Sequence, residues 1–452
     1  MANLPTDAIL TVAQMRAAEA AAGAPLAQLM ARAGGAVAEM ARRLAAGRPI
    51  HILCGPGNNG GDGYVAAQIL AEMGENVRLS ASAPPMSDLA RDAASRWTGA
   101  VEPVDAAPLA GALVVDALFG VGLNRPLDGA LSATLARHAG GAWRTLAVDL
   151  PSGLGSDDGR ALDCPYAADV TLALGAYKCA HMLFPAAAHV GQLRLADLGI
   201  ATDSQTRRAV MPQLAPPNYV SHKYLRGMVA VVAGHMGGAA ELAARAAQQA
   251  GAGYVLLTGS TRPPSPPHAI VRASWNDGAA LNDPRIGAVV IGCGLGVGEG
   301  AEARFSAALA RGAPLVVDGD AIVMTSPGAL PANSIITPHA GEFDRIWPGV
   351  GDKISRTRAA AAHFGAVIVH KGADSVIAAP DGRVAVHSPG NPWLASAGTG
   401  DVLAGICGAM LARGDLDAFA AAQAAVLLHQ RAAARAGPGL HADALVASGI
   451  WP

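Results

Sequence analysis

Short apolar runs separated by stretches of helical spacing recur along almost the whole chain, and this alternation most restricts what it can fold into. In the first half such runs occupy residues 49–55, 76–82, 112–120, 144–153, 169–176 and 192–198, with helical patterns such as 63–73 and 127–138 between them. Strands alternating with helices predict an α/β fold with a parallel sheet. The rhythm breaks over residues 201–221, ATDSQTRRAVMPQLAPPNYVS, which hold two proline signals and no sustained period. A domain linker is predicted there. A second series follows at 228–234, 254–259, 288–294, 314–320, 334–338, 366–372 and 375–379. A chain of 452 residues has room for two such domains, expected at 1–210 and 218–452. The stretch RPPSPPH, 262–268, is read as a proline-rich loop without a chemical role.

The first run leads into CGPGNNGGDGYVAAQIL, residues 54–70, with five glycines, two asparagines and one aspartate. Glycines between a strand and a helix let the backbone approach a ligand, and N–H groups at the helix start face an anion. The segment 55–60 matches G-x-G-x-x-G. That fingerprint also wants an acid at the end of the next strand, about 20 residues on. Here that strand reads NVRLSAS, so the ordinary dinucleotide fingerprint fails its context. A turn with a helix cap accounts for Asp62, as a ligand contact also does; it does not account for Asn58 and Asn59.

Two later strand ends carry acids: Asp116 in VVDALFGVGLNRPL and Asp149 in AVDLPSGL, with Ser152 three residues on. Carboxyl ends of parallel strands converge on one crevice. Asn59, Asp116 and Ser152 thus offer oxygens suited to a hard cation rather than zinc, and a single carboxylate favours a monovalent one. Asp149 is either a proton-transfer group or a loop cap beside Pro151.

Near the other end, Gly398-Thr399-Gly400-Asp401 opens an apolar helix, 402–411. A helix N-terminus holds free N–H groups and partial positive charge, a setting for a phosphoryl group in transfer. Asp401 there is placed to take a proton from an attacking hydroxyl, or to act as a plain N-cap.

Composition removes several classes. Net charge is −2 and aromatics are 4%, so no basic, aromatic-lined nucleic-acid surface is expected. No stretch reaches about 18 continuous apolar residues, so no membrane span is expected. MANLPTDAILTV lacks the features of a signal peptide, and a cytoplasmic location is expected. The five cysteines, Cys54, Cys164, Cys179, Cys293 and Cys407, lack zinc or disulfide spacing and read as buried thiols.

In this order, LTVAQMRAAE, LMARAG, GPGNNGGDG, DALFGVGL and DLPSG resemble the epimerase domain of the bifunctional NAD(P)H-hydrate repair enzymes. SAGTGDVLAG resembles the ribokinase-like superfamily. With SHKYLRG, GGAAELAARAA, IGCGLG, ITPHAGEF and HKGADS, the second domain looks like that family's ADP-dependent dehydratase. The resemblance implies an N-terminal Rossmann-like three-layer αβα sandwich and a C-terminal ribokinase-like αβα domain. It implies repair of hydrated nicotinamide cofactors: R and S forms of NAD(P)HX interconverted, and the S form dehydrated with ADP to give AMP and phosphate.

By the same resemblance, Asn58, Asn59, Gly60, Gly61, Asp62, Gly120, Val121, Gly122, Leu123, Asn124, Arg125, Pro126 and Asp149 bind the hydrated dinucleotide. Asn59, Asp116 and Ser152 hold a potassium ion. In the dehydratase, Ala239, Gly294, His339 and Asp401 contact the substrate, while Lys371, Gly372, Ala373, Asp374, Ser375 and Gly400 bind the AMP part of the nucleotide. Asp149 and Asp401 are the catalytic groups. Magnesium is implied at the second site, with Glu342 either orienting it through water or serving as a surface acid. His339 alone reads as a loop histidine. A homo-oligomer is expected, with small-molecule partners only.

The chain departs from the family pattern at Ala31, at Cys293, in GHMGGA (234–239) and in DGDAIVM (318–324). The alternatives are a small-molecule kinase of the ribokinase-like superfamily and a non-catalytic scaffold.

Overall fold

A computed structural model describes residues 7–259 and 266–451. Residues 262–265 of RPPSPPH lie outside the described residues. The chain divides into two compact units, Met1–Arg207 and Arg208–Pro452.

The sheet of the first unit runs Val101–Pro103, Val77–Ala81, Ile50–Cys54, Leu113–Ala117, Arg144–Val148, Val170–Leu174, Gln192–Ala196. Every pairing in it is parallel. Ile50–Cys54, Leu113–Ala117 and Val170–Leu174 are buried throughout, as strands covered on both faces must be. Helix Leu26–Ala45 turns an apolar stripe, including Leu29, Ala33, Val37 and Ala41, toward this core. The chain winds outward from Ile50–Cys54 through Val77–Ala81 to Val101–Pro103, then restarts on the opposite side with Leu113–Ala117. The strand order therefore reverses between Ile50–Cys54 and Leu113–Ala117, which opens a crevice beyond their carboxyl ends.

The sheet of the second unit runs Val384–His387, Ser375–Ala378, Val367–His370, Ile335–Ile336, Leu315–Val317, Ala288–Ile291, Met228–Val232, Tyr254–Thr258, Ile270–Ala273. Its order reverses between Met228–Val232 and Ala288–Ile291. The predicted parallel sheet needs one correction here. Val367–His370, Ser375–Ala378 and Val384–His387 pair antiparallel, because four- and five-residue links are too short for a parallel crossover. Helix Thr399–Ala412 is buried from Val402 onward. It fits because Gly405 and Gly408 lack side chains: a Cβ would stand 2.1 Å from the Ala243 carbonyl and 2.4 Å from Val290 Cγ2, respectively.

Short strands at Val101–Pro103, Ile270–Ala273 and Val384–His387 are additions to the sequence reading, and the linker stretch itself contains the strand Thr206–Arg208. Among the described residues no helix is long and apolar enough to cross a membrane. All five cysteines are free; four are buried, and Cys164 is half-buried rather than buried as expected.

Candidate active sites

The glycine-rich segment of the first unit is helix rather than loop. Helix Asn58–Glu72 starts directly after Gly57, with no side-chain cap. Asp62 is thus not an N-cap. It lies inside the helix, 8% exposed. The reason is packing: a Cβ on Gly60 would stand 1.9 Å from the Gly55 carbonyl oxygen, and one on Gly63 2.8 Å from Cys54 Sγ. Only glycines let the first helical turns sit this close to the strand ends.

A cavity of about 430 Å³ opens beside these turns. Asn58, Asn59, Asp62, Gly120, Val121, Gly122, Leu123 and Asp149 line it. Gly60 and Gly61 are buried, and Asn124, Arg125 and Pro126 are exposed; none of these five lines the cavity. Arg16, Glu19 and Lys178 line it too and were not anticipated. Burial pushes Asp62 well above the usual carboxylate range, with the charges of Asp149 and Glu19 adding to it. Burial raises Glu19 as well.

Asp149 sits just past strand Arg144–Val148 with φ 63, a left-handed conformation that costs a non-glycine residue about 1 kcal/mol or more. Its Oδ1 accepts from Lys178 Nζ at 2.5 Å and from the Leu174 N–H at 3.1 Å. Its carbonyl accepts from His181 Nε2 at 2.6 Å, while His181 Nδ1 accepts from the Lys178 N–H at 2.9 Å. Those two bonds require a neutral ring, and burial pushes His181 down to about 4.

Asp116 is 1% exposed. Its carboxylate accepts from Ser152 Oγ at 2.7 Å, Ser152 N–H at 2.9 Å, Leu118 N–H at 3.1 Å and Tyr166 Oη at 2.6 Å. All four donors are neutral, and burial raises the carboxyl. Asn59 Nδ2 is buried with no partner. A buried carboxylate without a counter-charge, beside the oxygens of Ser152 and Phe119, is a donor set that fits a hard cation.

In the second unit, helix Thr399–Ala412 begins after Gly398, which is left-handed at φ 86 and provides no side-chain cap. The Thr399 N–H donates to the Ser396 carbonyl at 3.4 Å, and no side chain caps the N–H groups of Gly400 and Asp401. Asp401 is the third residue of the helix and not its cap. Lys371 Nζ lies 2.7 Å from Asp318 Oδ1, which also accepts from Thr337 Oγ1 at 2.7 Å. A Cβ on Gly400 would stand 3.3 Å from Lys371 Nζ. Ligand atoms of Cys293, Asp318 and Asp401 all lie within 4.8 Å of one another. Burial, with the charge of Asp318, lifts Asp401 to about 6.

The loops at the reversal of this sheet interlock through backbone: Met236 N–H donates to the Gly294 carbonyl at 2.9 Å, and Ala239 follows at the start of helix Gly237–Gln249. His339 is 60% exposed and caps helix Ala340–Ile346, its own N–H donating to Glu342 Oε2 at 2.8 Å. Gly372 and Ala373 are exposed, and Asp374 and Ser375 are buried. Lys353, also unanticipated, ties this loop down: its Nζ donates to Asp374 Oδ1 and to the Asp374 carbonyl, both at 2.7 Å.

Residues 26–180 match the family described as YjeF-related protein N-terminus, and 229–444 match NAD(P)H-hydrate dehydratase. The bifunctional NAD(P)H-hydrate repair enzyme of Gloeobacter violaceus is 35% identical over 89% of this chain and 88% of its own. The chain belongs to the family of bifunctional NAD(P)H-hydrate repair enzymes. The repair enzyme of Thermofilum pendens is 33% identical over 85% of this chain and 83% of its own. A solved ADP/ATP-dependent NAD(P)H-hydrate dehydratase from Bacillus subtilis is 29% identical, with a TM-score of 0.46, covering 52% of this chain and 91% of its own. As a member of this family, the chain is an enzyme with an epimerase and a dehydratase domain.

Lys178 had a faint signal in the sequence, as a lone lysine in the largely apolar stretch LALGAYKCA, the kind that is buried only when paired; Lys353, among the charges of GDKISRTR, had none.

Proposed function

We propose that residues 1–210 interconvert the R and S forms of hydrated NADH or NADPH, and that residues 218–452 dehydrate the S form with ADP, releasing AMP and phosphate. The observation that carries this reading is the grouping of Asp401, Asp318 and Lys371 at the open start of helix Thr399–Ala412. Hydroxide leaves carbon poorly. Asp401 accepts the proton of the C6 hydroxyl as that oxygen takes the terminal phosphoryl of ADP. Lys371 and the open N–H groups hold the spreading negative charge. Phosphate then leaves C6 with the C–O electron pair, assisted by the ring-nitrogen lone pair, and loss of a ring proton restores the reduced nicotinamide.

In this reading Lys371, Gly372, Ala373, Asp374, Ser375 and Gly400 hold the AMP part. Ala239, Gly294 and His339 contact the hydrated ring and its nucleotide. In the first unit, residues 58–62, 120–126 and Asp149 hold the substrate, with Asp149 as proton-transfer group. Asn59, Asp116 and Ser152 would hold potassium, which supplies the counter-charge that the buried Asp116 lacks. Asp318 and Asp401 offer carboxylate oxygens for magnesium, which would offset charge on the phosphates, and Glu342, 3.9 Å from Lys371 Nζ, would orient it through water. A cytoplasmic location is part of the reading, and the free cysteines suit it.

The test is incubation with hydrated NADH, ADP and magnesium while NADH absorbance is followed. Recovery of NADH that depends on ADP is expected. Phosphorylation of an unrelated hydroxyl compound, with no NADH formed, would make the chain a kinase.

A further inference from the structure

Lys178 is buried at 1% exposure, beside Asp149 and on the wall of a cavity that Glu19 and Asp62 also line. An ammonium has three N–H donors. One donates to Asp149 Oδ1 at 2.5 Å and one to the Leu174 carbonyl at 2.7 Å. The third has no acceptor among the described residues, and the side chain borders the same cavity as Asp149. Asp149 is complementary. Its Oδ1 is held by Lys178 and by the Leu174 N–H. Its Oδ2 has no donor among the described residues, and it lies 3.4 Å from where a Cβ of Gly120 would stand, on the cavity side. A carboxylate with one bare oxygen and an ammonium with one bare hydrogen thus open on a single chamber. Stability alone does not explain the pair, because an apolar pair of similar volume would serve the fold as well or better.

Resting on the epimerase reading above, the geometry points to Lys178 as the second catalytic proton-transfer group of the first site, acting on the ring nitrogen while Asp149 acts on the hydroxyl. Asp149 Oδ2 takes the proton of the C6 hydroxyl, and the oxygen's electron pair forms C6=O. The C6–N1 bond breaks, its pair goes to N1, and Lys178 donates a proton to N1. The open aldehyde turns about C5–C6. N1 then attacks the other face of the carbonyl. Lys178 recovers the proton from N1, and Asp149 returns its proton to oxygen. Every atom is conserved and water takes no part.

Two measurements test this. The unmodified chain is given the R form in ¹⁸O-labelled water without ADP, and the S form is analysed by mass spectrometry. The S product is expected to keep its original oxygen; label incorporated at each turnover overturns ring opening. No interconversion at all would sink the epimerase reading, and this inference with it. In the second, Lys178→Met is expected to lose ~10²–10⁴-fold in epimerisation while ADP-dependent consumption of the S form continues at the parent rate. Added primary amines are expected to restore part of the loss, with a dependence on amine basicity that a structural role would not show. Epimerisation within about threefold of the parent overturns the assignment, as does a loss that amines leave untouched but Lys178→Arg fully restores.

Discussion

Lys371 Nζ lies 2.7 Å from Asp318 Oδ1, and Asp318 in turn lies beside Asp401. Burial pulls the Lys371 ammonium down, but Asp318 and Glu342 among its neighbours offset this and leave it raised, so it stays charged. Asp401 has the opposite problem: burial and Asp318 lift it to about 6. It accepts a proton only when ionised. The dehydration rate is therefore expected to rise with pH through about 6 and then level off, which a pH profile of kcat at saturating ADP measures.

The same carboxyl has a second pH signature. Its folded value lies above the unfolded one, so the stability it contributes is present below the unfolded carboxylate range and fades as pH rises through about 6. This is the reverse of an ordinary paired carboxylate. Melting curves of the parent and of Asp401→Asn across this window are expected to differ in that direction, the parent losing more stability as pH rises.

A Cβ at residue 60 would stand 1.9 Å from the Gly55 carbonyl oxygen, whereas one at Gly122 meets nothing within 4 Å. Gly60→Ala is expected to cost about 3 kcal/mol or more, and Gly122→Ala within about 0.5 kcal/mol of parent. Denaturant titration of both variants checks the contrast. Equal stability would show that the first helical turn does not press on the strand end as described.

If Asp116 is offset by a bound monovalent cation, potassium stabilises the folded state by mass action, by about 2.7 kcal/mol at a hundred times its dissociation constant. Replacing potassium with a bulky organic cation is expected to lower the melting midpoint of the parent and to leave Asp116→Asn unchanged.

Lys353 fixes the 371–375 loop from a helix below it. Lys353→Met is expected to lower kcat/KM for ADP by ~10-fold to 10²-fold through misplacement of that loop, with epimerisation unaffected. Steady-state kinetics in both directions measures it.

Much of this was legible in the sequence because mostly apolar runs such as Leu113–Ala117 and Met228–Val232, bounded by turn residues, leave few alternatives. What escaped depends on distant neighbours. Val101–Pro103 is short and mostly exposed, so it has no apolar run to betray it. The antiparallel edge escaped because apolar runs carry no direction. Asp62 looked like a cap because glycines usually end helices; here they permit one to begin against Gly55. Lys178 escaped because its partner, Asp149, lies 29 residues away along the chain. The positions grouped by motif spacing were easier: Asn59, Gly120 and Asp149 meet at one cavity wall.

The most direct measurement gives separate R and S hydrated NADH, with ADP and magnesium, to the parent, Asp149→Asn and Asp401→Asn. The parent is expected to return all of both forms to NADH. Asp149→Asn should consume S and leave R, losing ~10²–10⁴-fold on R, while Asp401→Asn should interconvert R and S yet form almost no NADH. NADH produced by Asp401→Asn at the parent rate, or R consumed by Asp149→Asn as fast as by the parent, would contradict two separate carboxylate-driven sites.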